Sequence, residues 1–156
     1  KVLAGLFTAQ STGQALLSKY TVMGPPVNQA ARLESLTKKF AAPILLDGSA
    51  AAAVAGENIL LRRIAAVRPA GMGQIVQVYE LVLPKELGGT GVTEVGSQAY
   101  ESALRSYESG DFEAAAEAMR LVPDDQIKLF LSECLDGMRH LGSAAGWDGI
   151  IHLLSK

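Results

Sequence analysis

A single cysteine, Cys134, stands in 156 residues, so no disulfide can form within the chain. That usage suits a reducing compartment. Histidine is scarce as well, and His140 and His152 are spaced neither from each other nor from Cys134 as zinc ligands would be. Charge of one sign is lacking: 14 basic and 16 acidic residues leave a formal net charge of −2. That balance offers no electrostatic basis for binding nucleic acid or an anionic membrane surface. No apolar run approaches the roughly 20 residues that cross a bilayer. The longest stretch of small apolar residues, 49–56, is mostly alanine. There is no signal-peptide pattern. What remains is a chain 49% hydrophobic and 19% charged, able to bury a core and the size of one ordinary domain or two small ones. It begins at Lys1 and reads as short of strand partners at that end, so we expect a fragment of a longer protein; a processed complete protein is the alternative.

Residues 2–7 form a short apolar run, a strand or strand end, and 8–18 read as a loop rich in Ser, Thr, Gln and Gly with room for a helical turn. Residues 19–23 alternate as a strand does. Gly24-Pro25-Pro26 breaks it, and a helix follows over 27–40 with Lys38 and Lys39 at its C-terminal, electronegative end. A strand is expected over 43–46, then an alanine-rich helix to about residue 55, capped by Asp47 or Ser49. Strands over 59–67 and 74–83 flank a tight turn at 69–73. In the second, Val76, Val78 and Leu81 are set against Gln74, Gln77 and Glu80. Residues 84–91, with Pro, Thr and three glycines, make the best domain boundary. Beyond it the pattern turns helical: 92–109, with Val95, Ala99, Ala103, Leu104 and Tyr107 at helical spacings; 112–121 after Gly110-Asp111; and a third helix to about residue 140, capped by Asp124 or Asp125. The run from Trp147 onward is strand-like.

The segment Tyr20-Thr-Val-Met-Gly-Pro-Pro-Val-Asn-Gln-Ala-Ala-Arg-Leu-Glu34 is the informative one for chemistry. Asn28 and Arg32 lie four apart in the expected helix and so share a face. Arginine presents a planar fork of donors suited to phosphate oxygens, and asparagine both a donor and an acceptor. On spacing alone an ordinary solvated surface pair is the commoner reading, and a nucleotide-addressing pair the sharper one. Cys134 and Trp147 read as packing residues. Gly71-Met-Gly73 is too short for a phosphate loop.

This segment resembles the class III adenylyl/guanylyl cyclase pattern: a strand with Tyr-Thr, then Gly, two residues, and Val-Asn-x-Ala-Ala-Arg-Leu. Ala4-Gly5, Pro43-Ile-Leu-Leu46 and Gln74-Ile-Val-Gln-Val-Tyr-Glu-Leu81 resemble its flanking strands. The resemblance covers residues 1–83. It implies an α/β fold: the C-terminal part of a ferredoxin-like cyclase domain, followed after the 84–91 linker by a small α-helical tail over 92–156. It also implies that Asn28 orients the substrate ribose. Arg32 would stabilise charge on phosphorus as the ribose 3′-hydroxyl displaces pyrophosphate. Thr21 stands at the base-selecting position, where threonine is similar to a bacterial subgroup acting on ATP. The family works as a head-to-tail homodimer with sites at the interface and with Mg2+ or Mn2+. The two Asp ligands and the Lys that partners Thr21 are expected upstream, so no metal ligand is expected in this chain; Asp47 and Glu34 match no metal position. A cytoplasmic location is implied, with the intact protein free to be anchored on the cytoplasmic side of a membrane that this fragment does not itself touch.

One departure concerns the turn where the family pattern reads Val-Lys-Gly-Lys: here Ala70 and Met72 replace the two basic positions, with Arg68 nearby. That favours a second expectation, a degenerate cyclase-like domain that binds a nucleotide or partner without chemistry. The tail supplies a third. Tyr107, Gly110-Asp111-Phe112 and Ala115 are spaced like one tetratricopeptide repeat, although Pro123 comes early. The tail then reads as an appendage packed on the domain or a second subunit, or as a protein-interaction module.

Overall fold

The computed structural model describes residues 8–12, 19–69, 73–141 and 146–153. Among them the fold mixes helix and strand: β1 (Thr8–Thr12), β2 (Lys19–Met23), α1 (Pro25–Phe40), β3 (Leu45–Asp47), α2 (Gly48–Val54), β4 (Leu61–Pro69), β5 (Val76–Leu81), α3 (Glu94–Glu108), α4 (Phe112–Met119), α5 (Gln126–Leu141) and β6 (Ile151–Leu153). The strand expected at 2–7 and the turn residues 70–72 lie outside the described residues. Residues 8–12, expected as loop, are a strand: β1 pairs antiparallel with β2, Gln10 opposite Thr21. Its threonines suit an extended backbone, and the ladder satisfies the peptide groups that a loop would leave to water.

The other four strands form one sheet in the order β3-β5-β4-β6, with β5 antiparallel to both neighbours and β6 parallel to β4. One face carries Ala65, Val67, Val76 and Val78 into the main core, which also receives Leu33 and Phe40 of α1 and the inner faces of α3 and α5. The opposite face places Leu46, Tyr79 and Leu81 against Ala50 and Ala51 of α2. Phe40 meets Phe130 of α5 edge-on, with ring centroids 4.9 Å apart. The main core therefore runs without a break from the sheet into the tail, and β6, from the tail, adds a strand to the sheet. Residues 84–91 fold into a 3-10 turn (Lys85–Leu87), closed by a hydrogen bond from Gly91 N–H to the Leu83 carbonyl (3.0 Å). At the other end of α3, Trp147 donates its indole N–H to the Tyr107 carbonyl (2.8 Å) and stacks edge-on against the Tyr107 ring.

Two expectations about facing are corrected. Val95, placed on the apolar stripe of α3, is 75% exposed; the stripe begins with Gly96 and Tyr100 instead, because Gly96 packs against Pro123. Glu80, placed with the outward residues of β5, is fully buried beside Val76 and Val78, and Leu81 takes the other face. A buried carboxylate needs partners. Here the Arg62 guanidinium supplies Nε and Nη2 to one Glu80 oxygen (2.9 and 2.7 Å) and the Thr90 hydroxyl donates to the other (2.6 Å). Arg62, itself fully buried, extends Nη1 to Asp125 (2.6 Å) and lies over the Tyr100 ring. Asp125 in turn caps α5 by accepting the Lys128 N–H (2.8 Å). One charged cluster thus ties β4, β5, residue 90, α3 and α5 together.

Ile64 has no partner on β5, because the ladder steps from Arg63 opposite Tyr79 to Ala65 opposite Val78. This bulge frees the Ile64 carbonyl, which accepts the buried Tyr100 hydroxyl (2.9 Å). The neighbouring Arg63 makes paired hydrogen bonds to both Glu101 and Glu108 of α3, at 2.7–3.1 Å. Burial on its own would raise the Glu101 carboxyl, but hydrogen bonds from Arg63 and Arg105 and their charges outweigh it and hold its pKa below the usual 4.5. A depressed carboxyl contributes stability above its unfolded pKa and loses it as the pH falls through the folded value. The Glu101→Gln variant is therefore expected to be about 0.5–1 kcal/mol less stable at pH 7, with that gap closing below pH 4.5. Urea unfolding at pH 7 and pH 3 measures it; a gap that does not shrink in acid would rule the assignment out.

Candidate functional site

The site grows from the junction of β2 and α1. Gly24 adopts φ 135°, a conformation that side chains resist, and so turns the chain sharply out of the strand. Pro25 and Pro26 then occupy the first helical positions, where a missing N–H costs nothing, and α1 starts at Pro25 rather than at the expected Val27. Ala41 closes the helix in the left-handed conformation, behind Lys38 and Lys39. Asn28 and Arg32 stand one turn apart on this helix, and both are exposed. Neither side chain has a hydrogen-bonding or ionic partner among the described residues. Thr21 lies in the middle of β2, on the strand that leads directly into α1.

That freedom sets Arg32 apart. Of the seven arginines, Arg62, Arg63, Arg105, Arg120 and Arg139 are each paired with a carboxylate. Arg32 and Arg68 are the two without one among the described residues. Arg32 lines a small crevice with Gln29, Leu33, Leu36, Pro69 and Val76, so it sits where β4 ends and β5 begins. Arg68 belongs to the other face of β4 from Pro69, opposite His152 of β6, and its Nε is buried without a partner. The two free arginines are thus near in the chain fold but separated by the sheet.

A larger groove, about 190 Å³, opens between α1 and β3 and is lined by Ala30, Leu33, Glu34, Thr37, Pro43, Ile44 and Leu45. It is smaller than a typical nucleotide-sized pocket of ~300 Å³ or more, and neither Asn28 nor Arg32 lines it. The candidate site is therefore an open helix face. Among the described residues no three His, Cys, Asp or Glu side chains gather as a metal site would require. Cys134 is packed in α5, and burial pushes its thiol up to about 11, so it stays protonated at neutral pH.

A link missed in the sequence runs through Gln29. Its amide donates to Asp47 Oδ2 (2.8 Å), while Asp47 Oδ1 caps α2 by accepting the Ala50 N–H (2.7 Å). The cap is legible, since Asp before an alanine-rich helix signals it; the second use of the same carboxylate carries no local signature. The Arg62 cluster carries no local signature either, because its partners Glu80 and Asp125 lie 18 and 63 positions away. Comparison with protein-family models, with curated proteins and with solved structures returned no match. Among the described residues, no helix is long and apolar enough to cross a membrane.

Proposed function

We propose that the chain is part of an adenylate cyclase, which converts ATP to cyclic AMP and pyrophosphate in intracellular signalling, and that its first 83 residues belong to a ferredoxin-like class III cyclase domain. One observation carries the reading. The motif pair Asn28 and Arg32 projects from one face of α1, exposed and without partners among the described residues, immediately after the strand that holds Thr21. In this reading the ribose 3′-hydroxyl releases its proton to water, its oxygen attacks the α-phosphorus, the bond from that phosphorus to the bridging oxygen breaks, and pyrophosphate departs. Asn28 orients the ribose, Arg32 neutralises charge that builds on the phosphoryl oxygens, and the Thr21 hydroxyl addresses the adenine edge. Mg2+ or Mn2+ would supply further charge stabilisation from ligands outside this chain. An open helix face lacks the opposite wall of a nucleotide site. A head-to-tail homodimer, with sites at its interface, would provide that wall, and the need for ATP would put the protein in the cytoplasm.

The loss of basic residues at Ala70 and Met72 favours a second reading, a degenerate domain that binds nucleotide without turnover. An assay of the intact protein with ATP and with GTP separates the two. The proposal expects cyclic AMP from ATP well in excess of cyclic GMP from GTP, and no product from the 156-residue chain alone. An intact protein inert toward both nucleotides would favour the degenerate domain, and cyclic AMP made by this chain alone would refute the missing metal half.

A further inference from the structure

We propose that Asp47 is a positioning residue: through Gln29 it sets the rotation of the first two turns of α1, and with them the placement of Asn28 and Arg32. The catalytic part of this inference rests on the cyclase reading above; the anchoring part stands on geometry alone.

The first two turns of α1 are weakly held by packing. Leu33 is the first buried residue of the helix, and residues 25–32 contain none. Gly24 offers no side-chain cap. Among the described residues, the Gln29–Asp47 hydrogen bond is the one side-chain hydrogen bond that ties 25–32 to another element. Its acceptor is well anchored. Asp47 is 9% exposed, ends β3 opposite Val78 of β5, and has its other oxygen committed to the cap of α2. An ionised carboxylate only accepts, so Gln29 must present its NH2 group to it. Gln29 is the neighbour of Asn28 and lies three residues before Arg32, with which it shares the crevice against Pro69 and Val76.

The lever is short but effective. A side chain reaches ~5–6 Å from the helix axis, so a rotation of roughly 10° displaces its tip by about 1 Å. A misplacement of that size costs up to ~100-fold in rate when it moves a group that must meet the reacting atoms. Losing one hydrogen bond at Gln29 is therefore expected to act on turnover far more than on global stability.

A donor–acceptor swap tests this in the intact protein. In Gln29→Glu, two carboxylates face each other and the bond is lost. In Asp47→Asn, the new amide keeps its oxygen for the α2 cap and the Gln29 amide can turn to pair with it. In the double variant, the amide introduced at position 47 donates to the carboxylate introduced at position 29, and the bond returns with its direction reversed. Two readouts are taken: amide hydrogen exchange across residues 27–32, and kcat and KM for cyclic AMP formation from ATP. Gln29→Glu is expected to speed exchange in 27–32 but not at 36–40, and to lower kcat about tenfold with KM changed much less. Asp47→Asn should stay near wild type, and the double variant should recover both exchange and kcat to within about threefold. Unchanged exchange in Gln29→Glu, or no recovery in the double variant, overturns the anchor. Altered and rescued exchange with unchanged kcat overturns its catalytic role. A wild-type protein without cyclase activity overturns the proposed function instead, and the exchange data still decide the anchor.

Discussion

Replacing Arg62 with alanine is expected to remove about 3–5 kcal/mol of unfolding free energy, because it strands a fully buried carboxylate. Glu80 would keep only the Thr90 hydroxyl, and Asp125 would lose its cationic partner across the same space. For a domain whose whole stability is ~5–15 kcal/mol, that loss threatens folding itself. The converse change is milder. In Glu80→Ala, Arg62 still holds Asp125 at 2.6 Å and still rests on the Tyr100 ring, so its charge stays compensated. Replacing both with leucine removes the fully buried Glu80 charge, leaves only the more exposed Asp125 without its cation, and is expected to be less destabilising than Arg62→Ala alone. Urea unfolding of the three variants gives the ranking. If Arg62→Ala costs less than Glu80→Ala, or if the double leucine variant is the worst, the cluster is not held as described. Tail and sheet should also unfold as one transition, since the cluster and the core cross between them.

The same cluster explains where the sequence was readable and where it was not. Helix α1 was legible within two residues, since Gly-Pro-Pro punctuation and the terminal lysines are local signals. The α2 cap was legible as Asp47 or Ser49, the α5 cap as Asp124 or Asp125, and the end at residues 151–153 as strand-like, for the same reason; the hydrogen bonds single out Asp47 and Asp125. The facing of β5 was not. Period-2 reading assigns a charged residue to water, but burial there is decided by Arg62, 18 positions away, and by the tail. The bulge at Ile64 shifts the register of β4 and is stabilised by a hydroxyl from α3, again a distant partner. Residues 8–12 look like loop by composition and become strand because β2 offers an edge. The candidate site divides in the same way. That Asn28 and Arg32 share a face follows from spacing, while their choice as site residues rests on the family resemblance; that neither is used by the fold itself emerges only once the other arginines are seen to be paired.

On the proposed cyclase function, Arg32→Ala in the intact protein is expected to lower kcat for cyclic AMP formation by ~10²–10³-fold, the usual cost of removing one group aimed at transition-state charge. KM for ATP should move much less, because the charge it meets develops only as the phosphorus–oxygen bond changes. Arg32→Lys should not restore the rate, since an ammonium cannot reproduce the planar fork. Stability separates this from a folding defect: Arg32 is exposed and without a partner among the described residues, so its removal is expected to change unfolding by less than about 0.5 kcal/mol. Asn28→Ala should likewise spare stability but lower the rate by misplacing the ribose. The double variant is expected to fall short of the product of the two losses, because both act on one transition state. Normal turnover in the double variant would remove Asn28 and Arg32 from the mechanism. A loss of turnover matched by a loss of folding would instead mean that this face of α1 serves the structure and not the substrate.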